Sequence, residues 1–455
     1  MKYGPPSAPF PMSAQTLAEL ATPVPIPRRG LTSNSLWALS GNVTYGGCQW
    51  LILLMLAKVG NASMVGQFAL GLALAAPVFQ FANLQLRTAQ VTDALSVYGF
   101  NDYLGLRLLT SSVGLALIAV LAVVGNHETG TVAVVVLIGV AKAFESVSDI
   151  FQGLFQKHEE MNRAAVSLIL KGLLSVLLVG LALFLLHNIV VAAAMLAVAW
   201  ATTLALYDLP QGASMLPNWR RELRPRFRRT VFKELFLLTL PLGFLMMLLS
   251  VSDNLPRYFL ARKGGTAAVG IYSAMAYFLV AGAILINAIG QAASPRLAKH
   301  YANDDLVGFR RILTKQMMCV LVVGAAGILV ARVAGKQILE VVYRPEYARQ
   351  APAFFWLMAA GTLGWLSSVL GVGLTAMRVF RKQAWIRLCC TLAGVAACAV
   401  LIPSKGILGA AFVAVLVGAG GLGSYAILLR SALKHKASIS AELFSAHADQ
   451  GLAQN

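Results

Sequence analysis

Apolar runs of about 20 residues recur from residue 36 to residue 429, separated by short polar or basic segments. A run of that length matches the roughly 30 Å hydrocarbon core of a bilayer, where no water is present to satisfy backbone N–H and C=O groups. Each run must therefore close its hydrogen bonds on itself as a helix. Twelve spans are predicted, at 36–57, 64–86, 104–125, 130–152, 164–186, 189–207, 235–260, 267–290, 314–333, 352–377, 384–402 and 406–429. With 58% hydrophobic and only 12% charged residues over 455 positions, the chain is too apolar for a soluble domain. The fold class is an all-α, polytopic membrane protein.

The net charge of +19 would suit a nucleic-acid partner if the basic residues clustered on one surface, but they sit between the spans. Placing both termini in the cytoplasm, and giving residues near span ends to the nearer side, puts 26 of the 37 lysines and arginines on the cytoplasmic side and nine on the other, with Lys142 and Lys171 deeper inside spans. No nucleic-acid partner is expected. Residues 1–31 are proline-rich, lack an apolar core and read as a disordered cytoplasmic tail ending near Arg28-Arg29; no cleavable signal peptide is visible. The five cysteines fall within apolar runs without metal-finger spacing and read as small buried apolar residues.

The chain repeats at an offset of 204. Val65-Gly66-Gln67-Phe68 corresponds to Val269-Gly270-Ile271-Tyr272, Ala57-Lys58 to Ala261-Arg262, Asn83 to Asn287, and Arg107-Leu108-Leu109-Thr110 to Arg311-Ile312-Leu313-Thr314. An even number of spans per repeat gives both halves one orientation, so two parallel six-helix lobes are expected at 32–207 and 235–430, around a central cavity. The basic linker 208–234 separates them. In it Trp219, Leu223, Phe227 and Val231 recur every four residues, as in a helix lying on the membrane surface, although Pro225 interrupts the pattern. A plain topological anchor is the simpler reading. Residues 431–455 form a second cytoplasmic tail.

Polar groups inside the spans are costly and mark interior faces. Ser250, Asp253 and Arg257 share a stripe in span 7, beside Asn254 and Pro256, whose ring is expected to break the turn and expose both charges. The repeat maps Asp253 onto Gln49, which shares a stripe with Asn42 and Tyr45 in span 1. Gln80, Asn83 and Arg87 follow helical spacing in span 2, as do Asn287 and Gln291 in span 8. Spans 1, 2, 7 and 8 thus surround a hydrated cavity, or else their polar groups merely join helix to helix. In spans 4 and 5, Lys142, Glu145 and Asp149 lie on one face with Lys171 at similar depth. They form either a neutralising salt-bridge network or a cation or proton site. No catalytic constellation or phosphate-cradling loop is present, and the outward connections are short except for 334–351.

Gly66-Gln67-Phe68-Ala69-Leu70, Leu84-Gln85-Leu86-Arg87, Asp253-Asn254-Leu255-Pro256-Arg257-Tyr258, Asn287-Ala288-Ile289-Gly290-Gln291, Pro295-Arg296-Leu297-Ala298 and Tyr343-Arg344-Pro345-Glu346-Tyr347 resemble segments of oligosaccharide-lipid flippases. These are the Wzx-like polysaccharide biosynthesis proteins of the multidrug/oligosaccharidyl-lipid/polysaccharide exporter superfamily. The resemblance covers residues 32–430. It implies a transporter of the bacterial inner membrane that moves an undecaprenyl-pyrophosphate-linked glycan to the periplasmic leaflet by alternating access, beside polysaccharide polymerase and glycosyltransferase partners. Arg257, Arg87 and Lys58 would meet the anionic head group. Asn42, Gln49, Asn83, Asn254, Asn287 and Gln291 would hydrogen-bond sugars. Asp253, Glu145, Asp149, Lys142 and Lys171 are the candidates for coupling to a proton or sodium gradient; no cofactor is expected. A small-cation exporter on the same fold and a membrane-embedded glycan enzyme or assembly scaffold are the alternatives.

Overall fold

The computed structural model describes residues 31–93, 96–125, 128–377 and 379–452; the tail predicted at 1–31 falls outside them apart from Leu31. The elements are α1 (Leu31–Val59), α2 (Ala62–Ala82), α3 (Leu86–Thr92), α4 (Phe100–Val124), α5 (Thr129–Lys157), α6 (Met161–Leu186), α7 (Ile189–Thr203), a π-helical turn (Leu204–Asp208), α8 (Leu209–Ala213), α9 (Trp219–Glu222), α10 (Arg229–Ala302), α11 (Leu306–Val342), α12 (Pro345–Ala348), α13 (Ala351–Ala376) and α14 (Phe380–Leu452). Among the described residues there is no strand, and nine helices are long and apolar enough to cross a membrane. Their outer faces are oily. Val113, Leu117, Val120 and Val124 form one exposed stripe on α4, and Leu173, Leu177, Leu181 and Phe184 another on α6. Such surfaces need lipid around them.

Straight, the 74 residues of α10 would run about 110 Å, several times the hydrocarbon thickness. The helix is interrupted at Gly265, whose φ of 68° and ψ of −172° suit glycine alone. The chain folds back there, because Arg257 Nε donates to Ser273 Oγ at 2.9 Å across the break. Gly406, at φ 55° and ψ −127°, interrupts α14 in the same way. The break expected at Pro256 does not occur. The helix continues through it, since Gly265 satisfies the need for a reversal and proline removes only one backbone hydrogen bond.

Two other local expectations are corrected. The basic linker contains the short helix α8, the single turn α9 and the start of α10, and no continuous surface helix joins Trp219 to Val231. Pro225 ends that pattern, and the Arg226 N–H donates to the Asn101 carbonyl at 3.2 Å, tying the linker to the start of α4. The outward segment 334–351 is mostly helical too, because α11 continues to Val342. Among the cysteines, Cys48 and Cys398 are buried as expected of small apolar residues, whereas Cys319 and Cys389 are exposed.

In the first part of the chain α1 packs on α6, α2 on α4 and α5, and α7 on α5 and α6. In the second, α13 packs on α11 and α14, and α10 on α13 and α14. The main junction between the two groups is α2 against α10. There a Cβ added to Gly66 would strike the Thr266 carbonyl, and one added to Gly270 would strike that of Ala62. The two contacts exchange under the 204-residue offset, so the repeat seen in sequence is a reciprocal crossing in space. Further along the same helices Tyr258 Oη donates to the Ala73 carbonyl at 2.5 Å.

Because backbone cannot move aside as a side chain can, Gly66→Val and Gly270→Val should each destabilise the protein by about 3 kcal/mol, the upper range for overpacking. Thermal unfolding in detergent should show this. Gly420→Ala, where a Cβ meets nothing, should unfold at the parent temperature or slightly above.

Candidate functional site

The polar faces expected to surround one central cavity between spans 1, 2, 7 and 8 line two separate cavities instead, one in each group of helices, because each face is covered by neighbours from its own group. The first, of about 360 Å³, is walled by α1, α2, α3, α5 and α6 and is lined by Asn42, Asn83, Arg87, Lys142, Glu145, Asp149 and Lys171 among others. Asn42 and Tyr45 of the stripe predicted in span 1, the stripe predicted in span 2 and the charged cluster predicted in spans 4 and 5 thus face one space, while Gln49 does not line it. The second, of about 800 Å³, is walled by α10, α13 and α14 and contains Asp253 and Arg257.

Each charge around the first cavity has a partner. Lys142 Nζ lies 2.6 Å from Glu145 Oε2, and Tyr45 Oη donates to the other carboxylate oxygen at 2.9 Å. Asp149 receives Arg107 at 3.0 Å and Arg87 at 3.4 Å. Arg87 also donates to Gln152 and Gln156, at 2.9 and 3.0 Å. Arg107, fully buried, donates to Asn83 Oδ1 as well, which also accepts from Ser146 at 2.8 Å. Behind the wall Lys171 Nζ donates to Ser148 Oγ at 2.8 Å, and Ser148 donates to the buried Asp208. Asp208 stands at the end of the π-helical turn, where the widened helix rotates it onto the α5–α6 interface.

The second cavity is organised differently. Asp253 does not bond Arg257 side chain to side chain; Arg387, from the first stretch of α14, reaches it at 2.9 Å. Arg257 bonds Ser273 Oγ, Asn254 Oδ1 at 2.8 Å and the Asp253 carbonyl at 3.3 Å, and its guanidinium lies 5.8 Å from the Tyr272 ring centroid. Asp253 keeps 71% side-chain exposure, so its carboxylate faces open cavity space. Trp365 and Tyr425 add aromatic walls.

The remaining predicted residues lie elsewhere. Lys58 lines neither cavity. Its Nζ donates to the Val341 carbonyl and its own carbonyl accepts from Arg344, both at 2.6 Å, closing the end of α1 onto the end of α11. Alongside, Trp50 donates to Tyr343 Oη at 3.4 Å and Tyr343 donates to the Ala274 carbonyl at 2.9 Å. Burial pushes the Tyr343 phenol up to about 12, so it remains a donor at neutral pH. Asn42 bonds its own helix through the Ala38 carbonyl, as Asn254 does through that of Ser250. Gln49 Nε2 is buried without a hydrogen-bond partner among the described residues. The side chains of Asn287 and Gln291 fall outside the described residues. Arg107, Arg387 and Asp208 were not among the predicted site residues. Arg107 was legible only as a repeat marker, and Arg387 resembled ordinary helix-end positive charge. Among the described residues no group of three or more His, Cys, Asp or Glu gathers to hold a metal.

Asp149→Asn would leave Arg107 buried without its counter-charge, a loss of about 3–5 kcal/mol for a broken buried pair. Denaturant unfolding in detergent should show a loss of that order, and Asp149→Asn combined with Arg107→Gln should recover part of it.

Residues 31–300 match the family described as polysaccharide biosynthesis protein. A capsular polysaccharide biosynthesis protein of Staphylococcus aureus, CapF, is 27% identical over 383 residues, covering 84% of this chain and 94% of that one. Among solved structures, the lipid II flippase MurJ in its inward closed conformation superposes with a TM-score of 0.71 at 8% identity, covering 88% of this chain and 89% of that one. A MOP superfamily transporter from Pyrococcus furiosus superposes with a TM-score of 0.60 at 14% identity, covering 89% and 95%. These likenesses identify the architecture as that of MOP transporters, and the extent of the family match makes the chain a member of the polysaccharide biosynthesis protein family.

Proposed function

We propose that the protein is a flippase that carries an undecaprenyl-pyrophosphate-linked oligosaccharide repeat unit from the cytoplasmic to the periplasmic leaflet, for exopolysaccharide or O-antigen assembly. The observation that carries this reading is the pair of cavities, each lined by charged residues, inside a lipid-facing helical bundle. A diphosphate and its sugars cannot enter hydrocarbon unaided, whereas the polyprenyl chain can remain in it. The relatives agree: one bears the name of a capsular polysaccharide biosynthesis protein, the other of a lipid II flippase.

In this reading residues 32–207 and 235–430 are two lobes joined by 208–234, turning about the α2–α10 crossing. The excess of lysine and arginine orients both termini toward the cytoplasm of a bacterial inner membrane. The closure around Lys58, Val341 and Tyr343 is then periplasmic, and the cavities, lined by Arg87 and Arg387 near the opposite helix ends, receive substrate from the cytoplasm. Arg87 and Arg257 meet the diphosphate, for which a guanidinium is well shaped. Asn42, Asn83 and Asn254 offer amides to the sugars once rotated from their present bonds, with Gln49, Asn287 and Gln291 on the same helices. Lys58 acts on closure instead of on the head group. The Lys142–Glu145 pair, Asp149, Lys171 and Asp253 are the groups through which a proton or sodium gradient acts. A polymerase and glycosyltransferases are the partners on either side of the transport step. A small-cation exporter fits less well, because Glu145, Asp149 and Asp253 already have basic partners.

Purified protein in sealed liposomes should expose a lipid-linked oligosaccharide to an external glycan-modifying enzyme, and empty liposomes should not. Arg257→Ala should lower the flipping rate about tenfold, the loss of one charge-assisted hydrogen bond, at unchanged membrane abundance. Arg257→Lys should restore part of it. Normal flipping by Arg257→Ala removes that residue from the head-group site, and elongation of the glycan without movement defeats the flippase reading.

A further inference from the structure

We infer that the α10–α13–α14 cavity holds an anion subsite, built on Arg387 and Gln383, that selects glycans bearing a carboxylate. The inference rests on the flippase reading and names the substrate class within it. Asp253, Arg257 and Arg387 are the charged residues of the cavity lining, so two guanidinium groups face one carboxylate. With Arg257 assigned to the diphosphate, Arg387 is the guanidinium left for one further negative charge, as a uronic acid supplies.

The second observation is unsatisfied donors. Gln383 and Arg387 lie four residues apart, hence on one face of α14, and both line the cavity. Gln383 Nε2 and Arg387 Nε are buried, and neither has an acceptor among the described residues. Buried polar groups normally find a partner. Two such donors on one helix face ask for an acceptor-rich ligand, and a sugar carboxylate with its neighbouring hydroxyl supplies several acceptors. Trp365 and Tyr425 supply flat apolar walls for sugar rings in the same space. Asp253, bonded to Arg387 at 2.9 Å and largely exposed, is the resident anion with which an incoming carboxylate competes.

The test measures binding to full-length protein in detergent by calorimetry, with three probes: farnesyl diphosphate, farnesyl-diphospho-glucose and farnesyl-diphospho-glucuronic acid. Wild type should bind the glucuronic acid probe about tenfold more tightly than the glucose probe, as one charge-assisted contact would give. Arg387→Gln should erase that preference and leave the glucose probe unaffected. Asp253→Asn should tighten binding of the glucuronic acid probe alone, a gain that misfolding cannot imitate. Equal affinity of wild type for the two sugar probes overturns the inference. So does an equal loss for all three probes in Arg387→Gln, which would give the residue to the diphosphate, the other source of negative charge. These outcomes leave the flippase reading intact if farnesyl diphosphate binds and wild type flips lipid-linked glycan. Failure of both of those in wild type would defeat the flippase reading itself.

Discussion

Two helices, α2 and α10, approach until backbone meets backbone, and the rest of the molecule hangs on that approach. In lipid there is no hydrophobic force between helices, so association relies on close packing and interhelical hydrogen bonds. Gly66 and Gly270 permit the packing, and Tyr258 bonding the Ala73 carbonyl and Ser63 bonding Thr266 supply hydrogen bonds. Each such bond contributes only about 0.6 kcal/mol on average in a membrane protein. The junction is therefore held mainly by fit. A fitted junction with few strong bonds suits the turning of the two helix groups that the proposed flippase cycle calls for.

The same medium explains how the charges are arranged. An uncompensated ion in an apolar bundle costs several kcal/mol, so the ions come in sets. Around the first cavity Arg107 and Arg87 share Asp149, and Lys142 holds Glu145. In the second, Arg387 holds Asp253 while Arg257 is positioned by neutral partners, Ser273 and Asn254. The first cavity is more tightly neutralised and smaller; the second is wider and carries unsatisfied donors. The asymmetry between repeats, already visible where Asp253 replaces Gln49, is therefore one of charge placement. The one-way transport proposed for this protein requires some such difference between the halves.

Helical class and membrane insertion are properties of the sequence by itself, because hydrocarbon leaves a long apolar run no other way to satisfy its backbone. The duplicated plan was legible for the same reason: Gly66 and Gly270 are fixed by a local demand for no side chain, which survives as a sequence match. The polar stripes of Asn83 and Arg87 and of Lys142, Glu145 and Asp149 followed from helical periodicity, and they do face one cavity. What periodicity leaves undetermined is which helix stands opposite. The partners of Asp253 and Asp149 are Arg387 and Arg107, 134 and 42 residues away in sequence. The reversal at Gly265 instead of Pro256, the turn that delivers Asp208 to Ser148, and the use of Lys58 in closure likewise depend on distant neighbours. Sequence alone determined how each segment sits in the bilayer, since that is a balance between a helix and its solvent. Only the tertiary structure decided which charges meet, since pairing depends on distances between segments that local periodicity does not contain.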